Sequence, residues 1–133
     1  MKKPLIIANW KMNPDTSDKA VTLVQAIEQA ITGISDVEVV IAPPSLFLSS
    51  IVAILTHAKL GSQNAFWENQ GAYTGEVSWH QLKNFGIRHV LVGHSERRLF
   101  LGETDEMIHR KVRVLLEHDM TPILCVGEHK RVS

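Results

Sequence analysis

The chain has 133 residues, of which 44% are hydrophobic, and its 14 lysines and arginines balance its 14 aspartates and glutamates. This length suffices for one domain with a buried core, and zero net charge excludes nucleic acid and anionic membranes as expected partners. The single cysteine, Cys125, cannot form an internal disulfide, which indicates a reducing compartment, so we expect a cytoplasmic location.

Five short apolar runs recur along the chain and are candidates for strands. They lie at residues 5–8, 37–42, 59–62, 89–92 and 123–126. Continuous apolarity is typical of parallel strands that are covered on their outer face, although a short run alone does not separate strand from helix. We expect neither a secretory leader nor a membrane span, because no run approaches the roughly 20 apolar residues that a span needs.

The first two segments between these runs carry helix signals. Thr16 or Ser17 can cap a first helix with apolar residues at helical spacing, and Gly33 ends it. Pro44 suits the first turn of a second helix, whose apolar stripe runs over residues 48–55. Each segment therefore predicts a strand-helix-strand crossover.

The remaining connections predict two more helices. A short one is expected over residues 78–84, and a longer one begins near Thr104 with acidic residues in its first turn. Since no repeat or linker interrupts the alternation, residues 1–133 are predicted to form one α/β domain of five parallel strands with four connecting helices. Both an open doubly wound sheet and part of an eight-stranded barrel agree with this pattern.

Residues 64–77 depart from the pattern because they contain no long apolar stripe. Glycines 71 and 75 flank the polar sequence Ala-Tyr-Thr, which predicts a long loop. Loops of this length are uncommon in compact domains and are usually functional. A mobile insertion is the alternative.

Polar side chains follow three of the predicted strands. Asn9 and Lys11 follow the first, Asn64 follows the third, and Gly-His-Ser-Glu at residues 93–96 follows the fourth. Ligands of parallel α/β folds bind beyond the carboxyl ends of the strands. We therefore expect these side chains to converge on one pocket.

Lys11 in this position suits an anionic substrate, because its ammonium can neutralise a phosphate or a developing enolate. By itself, a solvated surface lysine is the more common role. Asn9 has a simpler alternative as the cap of the turn that leaves its strand.

His94 precedes a predicted helical turn that begins at Ser95. The positive end of that turn disfavours a protonated imidazole, so a neutral ring can donate to a carbonyl oxygen. The alternative is a histidine that only caps the turn. Glu96 can pair with Lys11 or with the arginines that follow it, and such charges mostly orient their neighbours.

The other histidines show no metal-ligand spacing with cysteine or carboxylates, so no metal site is predicted. Cys125 lies in an apolar run and is interpreted as a small buried core residue, not as a nucleophile.

Taken together, these segments resemble the triose-phosphate isomerase family. The shared motifs are Asn-Trp-Lys-Met-Asn at residues 9–13, Ala-Pro-Pro at 42–44, Gln-Asn at 63–64, Gly-Ala-Tyr-Thr-Gly-Glu at 71–76, Gly-His-Ser-Glu-Arg-Arg at 93–98 and Cys-Val-Gly-Glu at 125–128. The resemblance covers residues 4–128. It implies a (β/α)₈ barrel that interconverts dihydroxyacetone phosphate and glyceraldehyde 3-phosphate through an enediolate, without a cofactor. A doubly wound phosphate-binding module is disfavoured, because the first turn lacks a glycine-rich fingerprint.

The resemblance also implies roles for the polar residues. His94 and Lys11 are the expected catalytic residues, with His94 polarising the carbonyl as a neutral electrophile and Lys11 supplying positive charge. Asn9 and Lys11 are expected to contact the triose phosphate. Ser95 and Glu96 are expected to support the site.

In the family, the long loop reaches into the neighbouring subunit of a homodimer. The resemblance places Tyr73 and Thr74 in that loop, with Thr74 near the neighbour's Asn9. A homodimer is therefore the expected assembly. An alternative is a non-catalytic product that binds full-length isomerase subunits through this loop.

Several family features lie beyond a fifth strand: the glutamate base, the lid and the glycine-rich phosphate site. We therefore expect negligible turnover from this chain alone. Unpaired edges on the first and fifth strands favour association or aggregation. Residues 129–133 depart from the usual continuation of the family.

Overall fold

A computed structural model of the chain describes residues 2–127. It contains one parallel sheet whose strands follow chain order: β1 (Leu5–Asn9), β2 (Glu38–Ala42), β3 (Lys59–Ser62), β4 (His89–Val92) and β5 (Thr121–Leu124). Within these residues each strand pairs only with its neighbours in sequence. A doubly wound sheet would reverse its strand order part-way, so the curled sheet is a partial barrel.

Every connection between strands is helical. The helices are α1 (Ser17–Ile31), α2 (Leu48–Val52) preceded by a 3₁₀ turn (Ser45–Phe47), α3 (Trp79–Asn84), α4 (Ser95–Leu101) and α5 (Asp105–Glu117). The predicted architecture of five parallel strands joined by four helical connections is confirmed. The last connection holds two helices, because the turn expected after His94 extends to Leu101 before α5 begins.

Side-chain caps define where the longer helices begin. The hydroxyl of Thr16 accepts the Lys19 N–H, and that of Thr104 accepts the Met107 N–H. Ser78 and Gln81 form a reciprocal capping box at the start of α3. These bonds satisfy N–H groups that have no partner within the helix.

Two predicted boundaries are wrong. The stripe expected to continue to Leu55 leaves the helix at Val52, since the chain must turn there toward β3. The last strand begins at Thr121, two residues earlier than its apolar run predicts, and ends before Cys125. Pro122 concealed this start, because proline is depleted in strands, but β5 is an edge strand of the described sheet and tolerates it.

The core lies between the outer face of the sheet and the helices. Its largest fully buried side chains include Val90 and Val92 from strands and Val24, Ile51, Leu82 and Leu115 from helices. By contrast, Leu5 and Ile6 on β1 and Leu124 on β5 are exposed. The two edges of the sheet therefore present apolar side chains to solvent.

Residues 64–77 form an irregular loop, as predicted. The Phe66 N–H donates to the Val77 carbonyl at 2.8 Å, which closes the base of the loop. The Tyr73 ring packs 4.5 Å from the Phe66 ring, and Thr74 is exposed in the following turn. None of the helices within residues 2–127 is long and apolar enough to cross a bilayer.

Candidate active site

Lys11, His94 and Glu96 meet at the carboxyl ends of the strands. The Lys11 ammonium lies 2.7 Å from Glu96 Oε1, and the Glu96 backbone N–H donates to His94 Nδ1 at 3.2 Å. Lys11 belongs to the turn after β1, whereas His94 and Glu96 follow β4. Glu96 therefore connects the Lys11 ammonium to the His94 imidazole, although residues 11 and 94 are 83 positions apart in sequence.

Lys11 is held in an unusual backbone conformation. Its φ is 56°, in the left-handed region that non-glycine residues rarely adopt. The side-chain oxygen of Asn9 accepts the Lys11 N–H at 2.9 Å, which forms a local turn. Asn9 thus caps the turn and lies beside Lys11, and its amide nitrogen still carries two hydrogens that can bind a ligand.

Glu96 is an ionised partner for Lys11. The hydrogen bond from Lys11 lowers the pKa of Glu96, and the positive charge of Lys11 acts in the same direction, while partial burial opposes them. The two arginines after Glu96 have other partners: Arg97 donates to Glu103, and Arg98 to Asp105 and the Gly93 carbonyl. Of the partners that the sequence allowed for Glu96, the structure therefore shows Lys11.

The His94 ring is oriented by the helix that follows it. Because Nδ1 accepts the Glu96 N–H, the ring as a neutral imidazole carries its proton on Nε2. The capping role and a donor role are thus compatible, since capping uses one nitrogen and leaves the other for a ligand. Ser95, the first residue of α4, is exposed, and its Cβ lies 3.9 Å from the position that a Cβ on Gly127 would take.

Asn64 does not join this cluster, contrary to expectation. Its side-chain oxygen accepts a hydrogen bond from the Lys111 ammonium at 2.8 Å, so it faces α5. Lys111 also pairs with Glu103, and both side chains are almost fully buried. A buried ammonium requires such partners, which explains why Asn64 turns toward it.

The sequence analysis missed Gln63, Glu103 and Lys111. Lys111 had a detectable signal, because it follows the buried Ile108 by three positions and precedes the buried Leu115 by four, on the same face of α5. Gln63 had only its place after β3 and its membership of the shared Gln-Asn motif. Its amide nitrogen donates to the carbonyls of Lys11 at 2.8 Å and Ala42 at 2.9 Å.

Cys125 lies just beyond β5 and is half-buried. Burial raises the pKa of its thiol, and a raised pKa makes a thiol a poor nucleophile at neutral pH. Among residues 2–127, no group of three or more histidine, cysteine, aspartate and glutamate side chains is arranged to hold a metal ion.

Comparison with known proteins decides the family. A family model described as triosephosphate isomerase matches residues 4–133. The chain belongs to the triosephosphate isomerase family. The match extends to residue 133, and the expectation that residues 129–133 depart from the family falls on residues outside those that the structure describes.

Curated relatives agree with this assignment. The chain is 45% identical over 132 residues to the triosephosphate isomerase of Caldanaerobacter subterraneus subsp. tengcongensis, and 45% identical over 130 residues to that of Endomicrobium trichonymphae. Each match covers 96% of this chain and 52% of the relative. The triosephosphate isomerase of Herpetosiphon aurantiacus is 43% identical over 132 residues, covering 98% of this chain and 52% of the relative. The chain thus spans about half the length of the curated relatives it matches.

Proposed function

We propose that the chain supplies the carbonyl-polarising and cationic half of a triosephosphate isomerase active site, which interconverts dihydroxyacetone phosphate and glyceraldehyde 3-phosphate in cytoplasmic glycolysis and gluconeogenesis. The connection Lys11–Glu96–His94 carries this proposal. It brings the Lys11 ammonium from the turn after β1 and the His94 imidazole from the turn after β4 together at the carboxyl ends of the strands. Family membership supports the choice of reaction.

The chemistry of the reaction explains the need for these groups. Removing a proton from the carbon beside a carbonyl places negative charge on the carbonyl oxygen, and an enediolate forms. The Nε2–H of His94 can donate to that oxygen, while the Lys11 ammonium stabilises the growing charge and the phosphate. A preorganised donor of this kind contributes about 10²–10³ in kcat. The proton moves between adjacent carbons, so no redox cofactor is required.

Glu96 is not assigned as the base that removes the proton. Its carboxylate is ion-paired with Lys11, and the resulting low pKa makes it a weak proton acceptor. A general base works best with a pKa near the operating pH. We assign the base to the part of the family barrel outside the region that this chain matches, and we expect little turnover without that part.

We further propose that the chain takes part in a homodimer through the loop of residues 64–77. Tyr73 is 45% exposed and Thr74 lies beside it at the loop surface. Met12, next to Lys11, and Phe100, in α4, are 91% and 77% exposed. Apolar side chains this exposed beside a candidate site favour coverage by a second subunit. Sedimentation of the chain with Tyr73→Ala, against unchanged chain, tests whether the loop contributes.

Complementation tests the catalytic proposal. The chain is co-expressed with the part of the Caldanaerobacter enzyme outside the matched region, in a host that lacks its own isomerase, and the purified assembly is assayed. We expect turnover that Lys11→Met and His94→Gln each lower by at least about 10²-fold. Lys19→Met and His109→Gln are matched controls at exposed positions away from the site. Turnover that is indifferent to Lys11 and His94 would refute the proposal.

The exposed sheet edges favour a second candidate function, binding of full-length isomerase subunits without catalysis. Leu5 and Ile6 on β1, together with Leu124 on β5, lie open at the edges of the described sheet. Such edges recruit further strands. Co-purification with a full-length subunit, combined with a complemented assembly that shows no turnover, would favour this function.

A further inference from the structure

Gln63 joins the ends of three strands through one amide group. It directly follows β3, and its Nε2 donates to the Lys11 carbonyl after β1 and to the Ala42 carbonyl at the end of β2. A side-chain amide has two N–H hydrogens. Both are used here, so the nitrogen is fully occupied by main-chain acceptors and is not available to a ligand.

The carbonyl that Gln63 contacts belongs to the residue with the unusual backbone. At Lys11 the φ of 56° costs roughly 1–2 kcal/mol for a residue with a Cβ, so its neighbours must impose it. Asn9 accepts the N–H of Lys11, and Gln63 donates to its carbonyl. Both polar groups of the Lys11 backbone are therefore held by side chains, one from Asn9 at the end of β1 and one from Gln63 just after β3.

The backbone of Lys11 determines where its ammonium points. In the observed conformation the side chain reaches Glu96, 2.7 Å away, although the lysine side chain is 54% exposed and little packing confines it. A relaxation of φ to the negative region would redirect the Cα–Cβ bond away from α4. The long, flexible side chain would then have no fixed partner.

We propose that Gln63 is a positioning residue, which holds the Lys11 backbone in the left-handed conformation that aims the ammonium at the site. The importance of Lys11 for catalysis rests on the proposed function, whereas the clamp on its backbone does not. A purely structural role for Gln63 would tie β2 to β3 without affecting the Lys11 side chain. The two roles differ in whether loss of the Gln63 amide disturbs the contact between Lys11 and Glu96. Gln63 itself has no contact with Glu96 among the described hydrogen bonds.

Gln63→Met tests this role, because methionine has a similar length but no donor hydrogens. NMR of the full chain reads the Lys11 φ from the coupling between its amide and α protons, and reads the Glu96 pKa from its side-chain carboxyl carbon. We expect the Lys11 coupling to change and the Glu96 pKa to rise toward its ordinary value. Gln81→Met is the matched control, since it removes the capping-box contact to the Ser78 N–H and leaves this site intact.

A folded Gln63→Met chain in which the Lys11 coupling and the Glu96 pKa match the unchanged chain would overturn the proposal. A measurement on the unchanged chain decides the matter even if the variant does not fold. Scalar couplings across the hydrogen bonds from the Gln63 amide to the carbonyl carbons of Lys11 and Ala42 are expected. Their absence would also overturn the clamp.

In the complemented assembly, Gln63→Met is expected to lower kcat by about 10-fold to 100-fold with a smaller effect on KM, since a misplaced group mainly affects the transition state. An unchanged kcat would contradict a positioning role. If the unchanged assembly shows no turnover, the proposed function fails. The NMR result still decides whether Gln63 holds Lys11.

Discussion

The Lys11 ammonium and the Glu96 carboxylate form an ion pair, 2.7 Å apart, that joins the turn after β1 to the first turn of α4. Both side chains are about half exposed, so the pair contributes little to the free energy of unfolding. Its importance is positional. Glu96 also donates its backbone N–H to His94, so one residue fixes the cation relative to the imidazole.

Lys11→Met is expected to raise the pKa of Glu96 toward its ordinary value, because the hydrogen bond and the positive charge that lower it are removed. The free energy of unfolding should change by less than about 1 kcal/mol, as for other exposed pairs. Carbon-detected NMR titration measures the pKa. The control is Lys19→Met, which removes an exposed pair between Lys19 on α1 and Asp15 just before it, and which should leave Glu96 unchanged. An identical Glu96 titration in all three chains would contradict the ion pair.

Glu28 is expected to stabilise the folded chain at neutral pH and to lose this effect in acid. This buried carboxylate on α1 accepts hydrogen bonds from the Thr56 hydroxyl at 2.6 Å and from the backbone N–H groups of His57 and Ala58, each at 2.8 Å. Burial alone would raise the pKa of Glu28, but these hydrogen bonds outweigh it and lower the pKa to about 2. Glu28→Gln should therefore lower the free energy of unfolding at neutral pH by about 1–3 kcal/mol.

The pH dependence of this effect follows from the lowered pKa. The unfolded carboxyl titrates near its reference value of 4.5, so the stabilisation is complete above that pH and disappears as the pH falls toward about 2. Urea unfolding between pH 7 and 2 measures it. The control is Glu68→Gln, at an exposed loop position, whose free energy of unfolding should fall in acid as much as that of the unchanged chain. If Glu28→Gln shows the same acid dependence as the unchanged chain, the interpretation of Glu28 is wrong.

Neighbouring leucines on α5 test the orientation of that helix. Leu115 is fully buried, whereas Leu116 is 61% exposed. Leu115→Ala should lower the free energy of unfolding by about 2–5 kcal/mol, because it leaves a cavity, and Leu116→Ala should lower it far less. Denaturant unfolding compares the two. Equal losses would place the buried face of α5 elsewhere.

The buried pair of Lys111 and Glu103 is expected to be costly to break from one side. Lys111→Met leaves the Glu103 carboxylate in the interior with Arg97, 3.1 Å away, as its remaining ionic partner. We expect a loss of about 3–5 kcal/mol in the free energy of unfolding. Arg110→Met, at the preceding exposed position, is the control and should be near neutral. A near-neutral Lys111→Met would mean that the pair is hydrated.

Local signals made much of the fold predictable. Thr16 and Thr104 cap the helices that follow them, three residues from the N–H groups they bind. Strand positions followed from continuous apolar runs, because both faces of most strands are covered. The start of β5 was missed, since Pro122 suppresses a strand signal that its edge position tolerates.

The site was predictable as a set of residues but not as a set of contacts. The carboxyl ends of parallel strands lie on the same side of the sheet, so the sequence predicted that Lys11 and His94 lie close together. Asn64 was misplaced, because its partner Lys111 lies 47 positions away and is buried only once α5 packs on the sheet. Gln63 acts on Lys11 across 52 positions, which no local pattern could reveal.

The proposal that Asn9, Lys11 and His94 act on one ligand is tested most directly by adding dihydroxyacetone phosphate to the complemented assembly, with nitrogen NMR of the lysine ammonium and histidine ring. We expect the Lys11 Nζ and His94 Nε2 signals to shift together with one dissociation constant, and the ring proton to reside on Nε2 before ligand is added. Independent shifts, or a response at only one of these two nitrogens, would contradict a single site built from the β1 and β4 turns.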